Sequence, residues 1–157
     1  MKNEIILQAS KISIGYSHKK ETTVVASNID LALKKGKLIA LIGATGLGKS
    51  TLFRTITGIQ KPISGSVFLN DKNIQDLDAL TLAQNLSIVL TEKLPPSNLT
   101  VFELIALGRQ PYTNWIGTLS DIDIAKVNEA MEMSQIRHIA TKKHYEISDG
   151  QLQKVLI

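Results

Sequence analysis

An α/β fold is what the sequence predicts, from three observations. Two stretches near the N-terminus, Ile5–Tyr16 and Thr23–Leu33, alternate apolar and polar residues. A continuously apolar run, Leu38–Ile42, leads into a glycine-rich turn and then into helical spacing. Beyond Leu99 the pattern turns wholly helical.

Taken in order, Ile5–Tyr16 and Thr23–Leu33 read as an antiparallel pair turning at Ser17–Lys20, with Ile29, Leu31 and Leu33 on one face and the other face wet. The run Leu-Ile-Ala-Leu-Ile at 38–42 has no polar side, so it predicts a strand covered on both faces, as in a parallel sheet. A helix is expected over Ser50–Thr57, closed by Gly58. Pro62, Ser64 and Gly65 mark a turn before a strand at Ser66–Asn70. Leu77–Ala83 is a short helix candidate, Leu86–Leu90 a second wholly apolar strand, and Glu92–Asn98 a loop carrying Pro95 and Pro96. Thr100 and Glu103 stand at capping-box spacing, with Gly108 placed to end the helix they open. Ser120 to Asp123 caps a longer helix with Ile124, Val127 and Met131 on one stripe, and a last helix begins at Ser148, which stands at capping-box spacing from Gln151.

Composition narrows the function classes. The 157 residues suffice for one domain with a real core. With no cysteine, a disulfide scaffold and a thiolate metal site are excluded, and a reducing cytoplasm fits. No apolar run approaches the ~20 residues that cross a bilayer, and Met1–Ser10 lacks a signal-peptide pattern, so any membrane role is expected to be peripheral. The net charge of +4 is spread over short pairs such as Lys34-Lys35 and Lys142-Lys143. Nucleic-acid binding is one reading of these lysines; solvated surface is the other, and the one their dispersal favours.

The strongest local signal is Gly43-Ala44-Thr45-Gly46-Leu47-Gly48-Lys49-Ser50-Thr51. Glycine, four residues, then Gly-Lys-Ser, lying after an apolar run and opening a helix, is the pattern of a phosphate-cradling loop. Main-chain N–H groups must turn inward around the phosphates, and side chains would block them. Gly46 and Gly48 leave that room and accept left-handed dihedrals. The helix start adds unpaired N–H groups and a positive dipole end. Lys49 reaches the outer phosphates, and the Ser50 hydroxyl offers an oxygen to Mg²⁺. ATP or a close relative is the expected ligand.

On these residues the chain resembles the ATP-binding subunit of an ABC transporter, over nearly all of residues 4–157. The stretch Leu99-Thr-Val-Phe-Glu-Leu-Ile-Ala-Leu-Gly-Arg-Gln-Pro111 is similar to the importer branch for iron-siderophores, haem and cobalamin. The resemblance implies a phosphate-loop NTPase of the ABC type, with an antiparallel β subdomain, a partial α-helical subdomain and an incomplete core sheet. Residues 1–93 would form the nucleotide-binding core and β subdomain, and 94–157 the helical subdomain up to the signature helix. Tyr16 would stack on adenine, although a tyrosine at a strand edge can equally lay its ring on the sheet. Ile147-Ser148-Asp149-Gly150-Gln151 resembles the ABC signature. There Ser148, Gly150 and Gln151 would act in trans on nucleotide held by a second subunit in a head-to-tail homodimer.

The chain also departs from the family pattern. Thr91 stands where the Q-loop glutamine is usual and is too short to reach a metal directly; Glu92 is a weak substitute. Asp149 replaces a glycine and is expected to point outward, stabilising the helix dipole without facing phosphate. The Asp-Glu strand and switch histidine of the family would follow Ile157, and His18, His138 and His144 do not match the switch. The resemblance therefore implies a C-terminally truncated stretch of a longer chain, expected alone to be unstable and to bind nucleotide without hydrolysing it well. The implied whole is an ATPase with ATP and Mg²⁺, driving import of an iron-siderophore or related chelate. It would sit peripherally on the cytoplasmic face of the inner membrane, against an ABC permease and, indirectly, a periplasmic or lipoprotein binding protein, with no nucleic acid bound. The alternatives are a soluble ABC ATPase acting on ribosomes or nucleic acid, and a non-catalytic nucleotide-binding remnant. Pro111–Trp115 either meets a permease loop or, the reading favoured, packs within the helical subdomain.

Overall fold

The computed structural model describes residues 4–18, 21–89, 94–95 and 97–157. They fall into two compact units, Met1–Ser87 and Ile88–Ile157.

The first unit is built on the two alternating runs. They form β1 (Ile5–His18) and β2 (Glu21–Lys34), which pair antiparallel as the pattern requires. With β3 (Ser64–Leu69) and β4 (Lys72–Asn73) they make one antiparallel sheet of order β2-β1-β3-β4. Side chains on a strand alternate faces, yet β1 buries Leu7 and Ala9 and then Ile12 and Ile14, a change of phase. A β-bulge explains it. Ser10 and Lys11 together stand opposite Asp30, Lys11 is left-handed at φ 47°, and its N–H bonds the Asp30 carboxylate at 2.9 Å. A second irregularity at Asn28 (φ 57°) restores the pairing on β2, so Ile29, Leu31 and Leu33 still pack against the core. Helix α1 (Lys49–Ile56) buries Thr55 and Ile56 and ends at Thr57, beyond which Gly58 turns left-handed at φ 78°. Helix α2 (Ala79–Asn85) is capped by Asp78, whose carboxylate takes the Thr81 N–H at 2.8 Å. That bond and the Thr81 hydroxyl hold the Asp78 carboxyl below its ordinary range.

In the second unit, α3 (Val101–Ala106), α4 (Asp121–Met133) and α5 (Asp149–Leu156) contribute to a core of Val101, Val127, Met131, Ile136, Ile139 and Val155. All three helices open with the capping box that the sequence shows, at Thr100/Glu103, Ser120/Asp123 and Ser148/Gln151.

Several expectations are corrected. Leu38–Ile42 forms no strand: Leu38 is 102% exposed and Ile42 91% exposed. A strand exists only where a neighbour supplies its ladder, and among the described residues nothing pairs with this run. Leu86–Val89 is likewise without a ladder, while Leu90 lies outside the described residues, as do Thr91 and Glu92. Gly108 does not stop the chain's winding; α3 tightens into a 3₁₀ turn over Leu107–Tyr112, with Pro111 inside it. On α4 the stripe is Asp123, Val127 and Met131, with Ile124 half-exposed, because Asp123 finds partners inside. Finally, Trp115 is 94% exposed, so the 111–115 cluster is not packed away; Tyr112 instead lays its ring under the Arg109 guanidinium at 4.0 Å.

Candidate nucleotide-binding site

The loop 43–48 curls rather than extends and delivers the chain into α1 at Lys49. Its bend needs the two glycines: Gly46 sits at φ 88° and Gly48 at φ 85°, where side chains are strained. A Cβ on Gly48 would also lie 2.5 Å from Val25 of β2, so the sheet itself fixes how close this turn packs.

Three features converge at the turn. Gly48 caps α1 without a side-chain hydrogen bond, and the first turn carries no acidic residue. The N–H groups and the positive dipole end thus meet no competing carboxylate there. Lys49 folds its ammonium back onto the loop, donating to the carbonyls of Gly43 and Ala44 at 2.7 Å each. Both acceptors are neutral, so the cation keeps its charge for an incoming anion. Ser50 is exposed in the first turn of the same helix. The donor set of amides plus ammonium fits a polyphosphate.

Tyr16 and Thr51, 35 residues apart, are joined by a 2.9 Å bond between their hydroxyls. Thr51 is buried at 4% exposure, while Tyr16 keeps about half of its surface, 51%, open. The phenol is therefore anchored at its tip, with ring surface available for a flat ligand. Gln60 adds a support that the sequence did not suggest, donating from its side chain to the carbonyl of Gly15, next to Tyr16. Thr45 and Leu47 are exposed on the loop.

In the second unit, Ser148 caps α5: its Oγ accepts from the Gln151 N–H at 3.3 Å, and Gln151 Oε1 accepts from the Ser148 N–H at 3.0 Å. Asp149 is exposed in the first turn, and the space around Gly150 is open. Among the described residues no group of three or more His, Cys, Asp or Glu is placed to hold a metal by itself. Sequence reasoning gave no structural role to Arg109, whose Nε reaches the buried Asp123 at 2.9 Å, or to His144, which is buried. Arg109 was legible only as part of the Leu99–Pro111 stretch, His144 only as a histidine out of place for the switch, and Asp123 only as the capping partner of Ser120.

Comparison with known proteins identifies the family. The family described as ABC transporter matches residues 26–157. An uncharacterized ABC transporter ATP-binding protein of Methanocaldococcus jannaschii is 38% identical over 97% of this chain and 51% of its own length. The iron(3+)-hydroxamate import ATP-binding protein FhuC of Bacillus subtilis is 32% identical over 96% of this chain and 55% of its own. The chain thus spans about half the length of these relatives. Among solved structures, a dimeric ABC transporter cassette superposes with a TM-score of 0.80 at 25% identity, over 97% of this chain and 67% of that one. The ABC cassette fold predicted from sequence is therefore the fold observed.

Proposed function

The chain belongs to the ABC transporter family, and from that premise we propose that it binds ATP through Gly43–Thr51 in an ATPase subunit powering import of an iron chelate. The observation that carries the reading is the Lys49 ammonium, held at the mouth of the loop by two neutral carbonyls beside an uncapped helix start. Main-chain N–H groups from Gly43, Ala44, Thr45, Gly46, Leu47 and Gly48 onward cradle the phosphates, and Lys49 clasps their outer end. Thr51 belongs to the same cradle, and Tyr16 offers its ring to adenine. Mg²⁺, when bound, would supply charge neutralisation at the phosphates. Ser50 is the residue of this loop that would hold it.

Ser148, Gly150 and Gln151 act in trans, at nucleotide held by a second subunit in a head-to-tail homodimer. Their exposed, capped helix end presents N–H groups as an anion site does. ATP then favours the closed pair by binding it better than the open one. The exposed Asp149 directs its charge to water. The partners proposed are a membrane permease and, indirectly, a binding protein. Among the described residues no helix is long and apolar enough to cross a membrane, which suits peripheral docking at the cytoplasmic face. The chelate class rests on relatives such as the iron(3+)-hydroxamate import protein.

The test is Lys49→Ala with ATP affinity measured by calorimetry. Loss of one charge-assisted contact, worth about 1.5–3 kcal/mol, weakens binding roughly 10- to 150-fold. Unchanged affinity overturns the proposal.

A further inference from the structure

His144 is not the family's switch histidine by sequence order, yet it is buried, at 7% exposure, four residues before Ser148. It opens the 3₁₀ turn His144–Glu146 that leads into the cap of α5. Its Nε2 accepts the main-chain N–H of Ser97 at 3.1 Å, across 47 residues of sequence. Accepting there requires the unprotonated nitrogen, which places the ring proton on Nδ1. Around this bond the two segments are stitched together. The His144 N–H donates to the Leu99 carbonyl at 3.2 Å and the Val101 N–H to the Lys142 carbonyl at 2.9 Å. Lys143 Nζ donates to the Asn98 carbonyl at 2.5 Å, and Thr100 and Lys143 form an antiparallel bridge. The main-chain links exist whatever the side chains are, whereas the buried imidazole extends the seam to Ser97.

We propose that His144 is a positioning residue: its imidazole, by accepting from the Ser97 amide, holds segment 97–99 against the turn that sets the direction of the signature helix. The inference rests on the function proposed above for Ser148 and adds the means by which that helix start is aimed. Protonation turns Nε2 from acceptor into donor, facing another donor, and the bond is lost. Titratable groups beside the seam include Lys142, Lys143, Tyr145 and Glu146 in and before the same turn and Glu103 on α3. Glu146 accepts the Lys143 N–H, and the Tyr145 ring meets the imidazole edge-on at 5.8 Å.

The experiment compares His144→Gln with His144→Asn in the intact protein. Glutamine reaches the place of Nε2; asparagine stops at Nδ1. Fluorescent-nucleotide Kd, steady-state kcat, its pH profile and hydrogen exchange at the Ser97 amide are read together. The Asn variant is expected to keep Kd within about twofold, lose Ser97 protection and drop kcat about tenfold, the effect of leaving one amide without its acceptor. The Gln variant is expected to hold kcat within about threefold of wild type and to lose less activity than wild type on acidification. Wild-type kcat in both variants, or a Gln variant as impaired as the Asn variant, overturns the assignment. Failure of the wild-type protein to bind nucleotide, by contrast, overturns the proposed function.

Discussion

At the scale of single residues, Gly46 at φ 88° and Gly48 at φ 85° give the loop its left-handed turns. Gly43 to Thr51 is a local pattern, and the left-handed turns at Gly46 and Gly48 follow from its own residues. What the pattern could not show is what lies behind it. Gly48 is fixed by a strand neighbour, Val25, and Tyr16 by a hydroxyl 35 residues away. This separates two glycine replacements. Gly48→Ala meets both an unfavourable φ and a 2.5 Å contact, whereas Gly46→Ala meets the φ of 88° with open space around it. Gly46→Ala is expected to cost about 1 kcal/mol and Gly48→Ala clearly more, with nucleotide affinity lost in step; chemical denaturation of both variants decides the order.

For the elements, caps read from sequence held because they depend on residues three apart. Thr100/Glu103, Ser120/Asp123 and Ser148/Gln151 all close as capping boxes. Asp123 goes further, since Arg109 reaches it from the 3₁₀ turn, a partner that no helical spacing reveals. The Ser120 hydroxyl, then the Ser120 amide and Arg109, hold the Asp123 carboxyl below its ordinary value of 3.8. A carboxyl lowered on folding stabilises fully above that ordinary value and loses its contribution as pH falls through the lower, folded one. Asp123→Asn is therefore expected to lower the melting temperature at neutral pH and to flatten its fall below 3.8. Circular dichroism melts across that range check it.

Across the whole chain, sequence reasoning was weakest where burial depends on distant partners. Leu38–Ile42 has the composition of a covered strand, and composition alone cannot say whether a neighbour is there to complete it. Here Leu38 and Ile42 face solvent. Bulges at Lys11 and Asn28 also escaped a reading by simple alternation, since each shifts the inward phase by one residue. An exposed apolar segment with unpaired main chain promotes association. Replacing Leu38 and Ile42 by lysine in this chain is expected to raise its solubility severalfold and to leave the first unit's melting unchanged, because neither residue belongs to its buried core. Light scattering during a thermal ramp distinguishes that outcome from one in which both side chains support the unit.

The link between the phenol of Tyr16 and the hydroxyl of Thr51 has a directional consequence. A hydroxyl owns one proton. Were Thr51 to spend it on an anion at the helix start, the tyrosine would become the giver and the threonine oxygen the receiver. Occupancy at one end of the proposed site would thereby be written into the polarity of the ring at the other, with no atom heavier than hydrogen having to move.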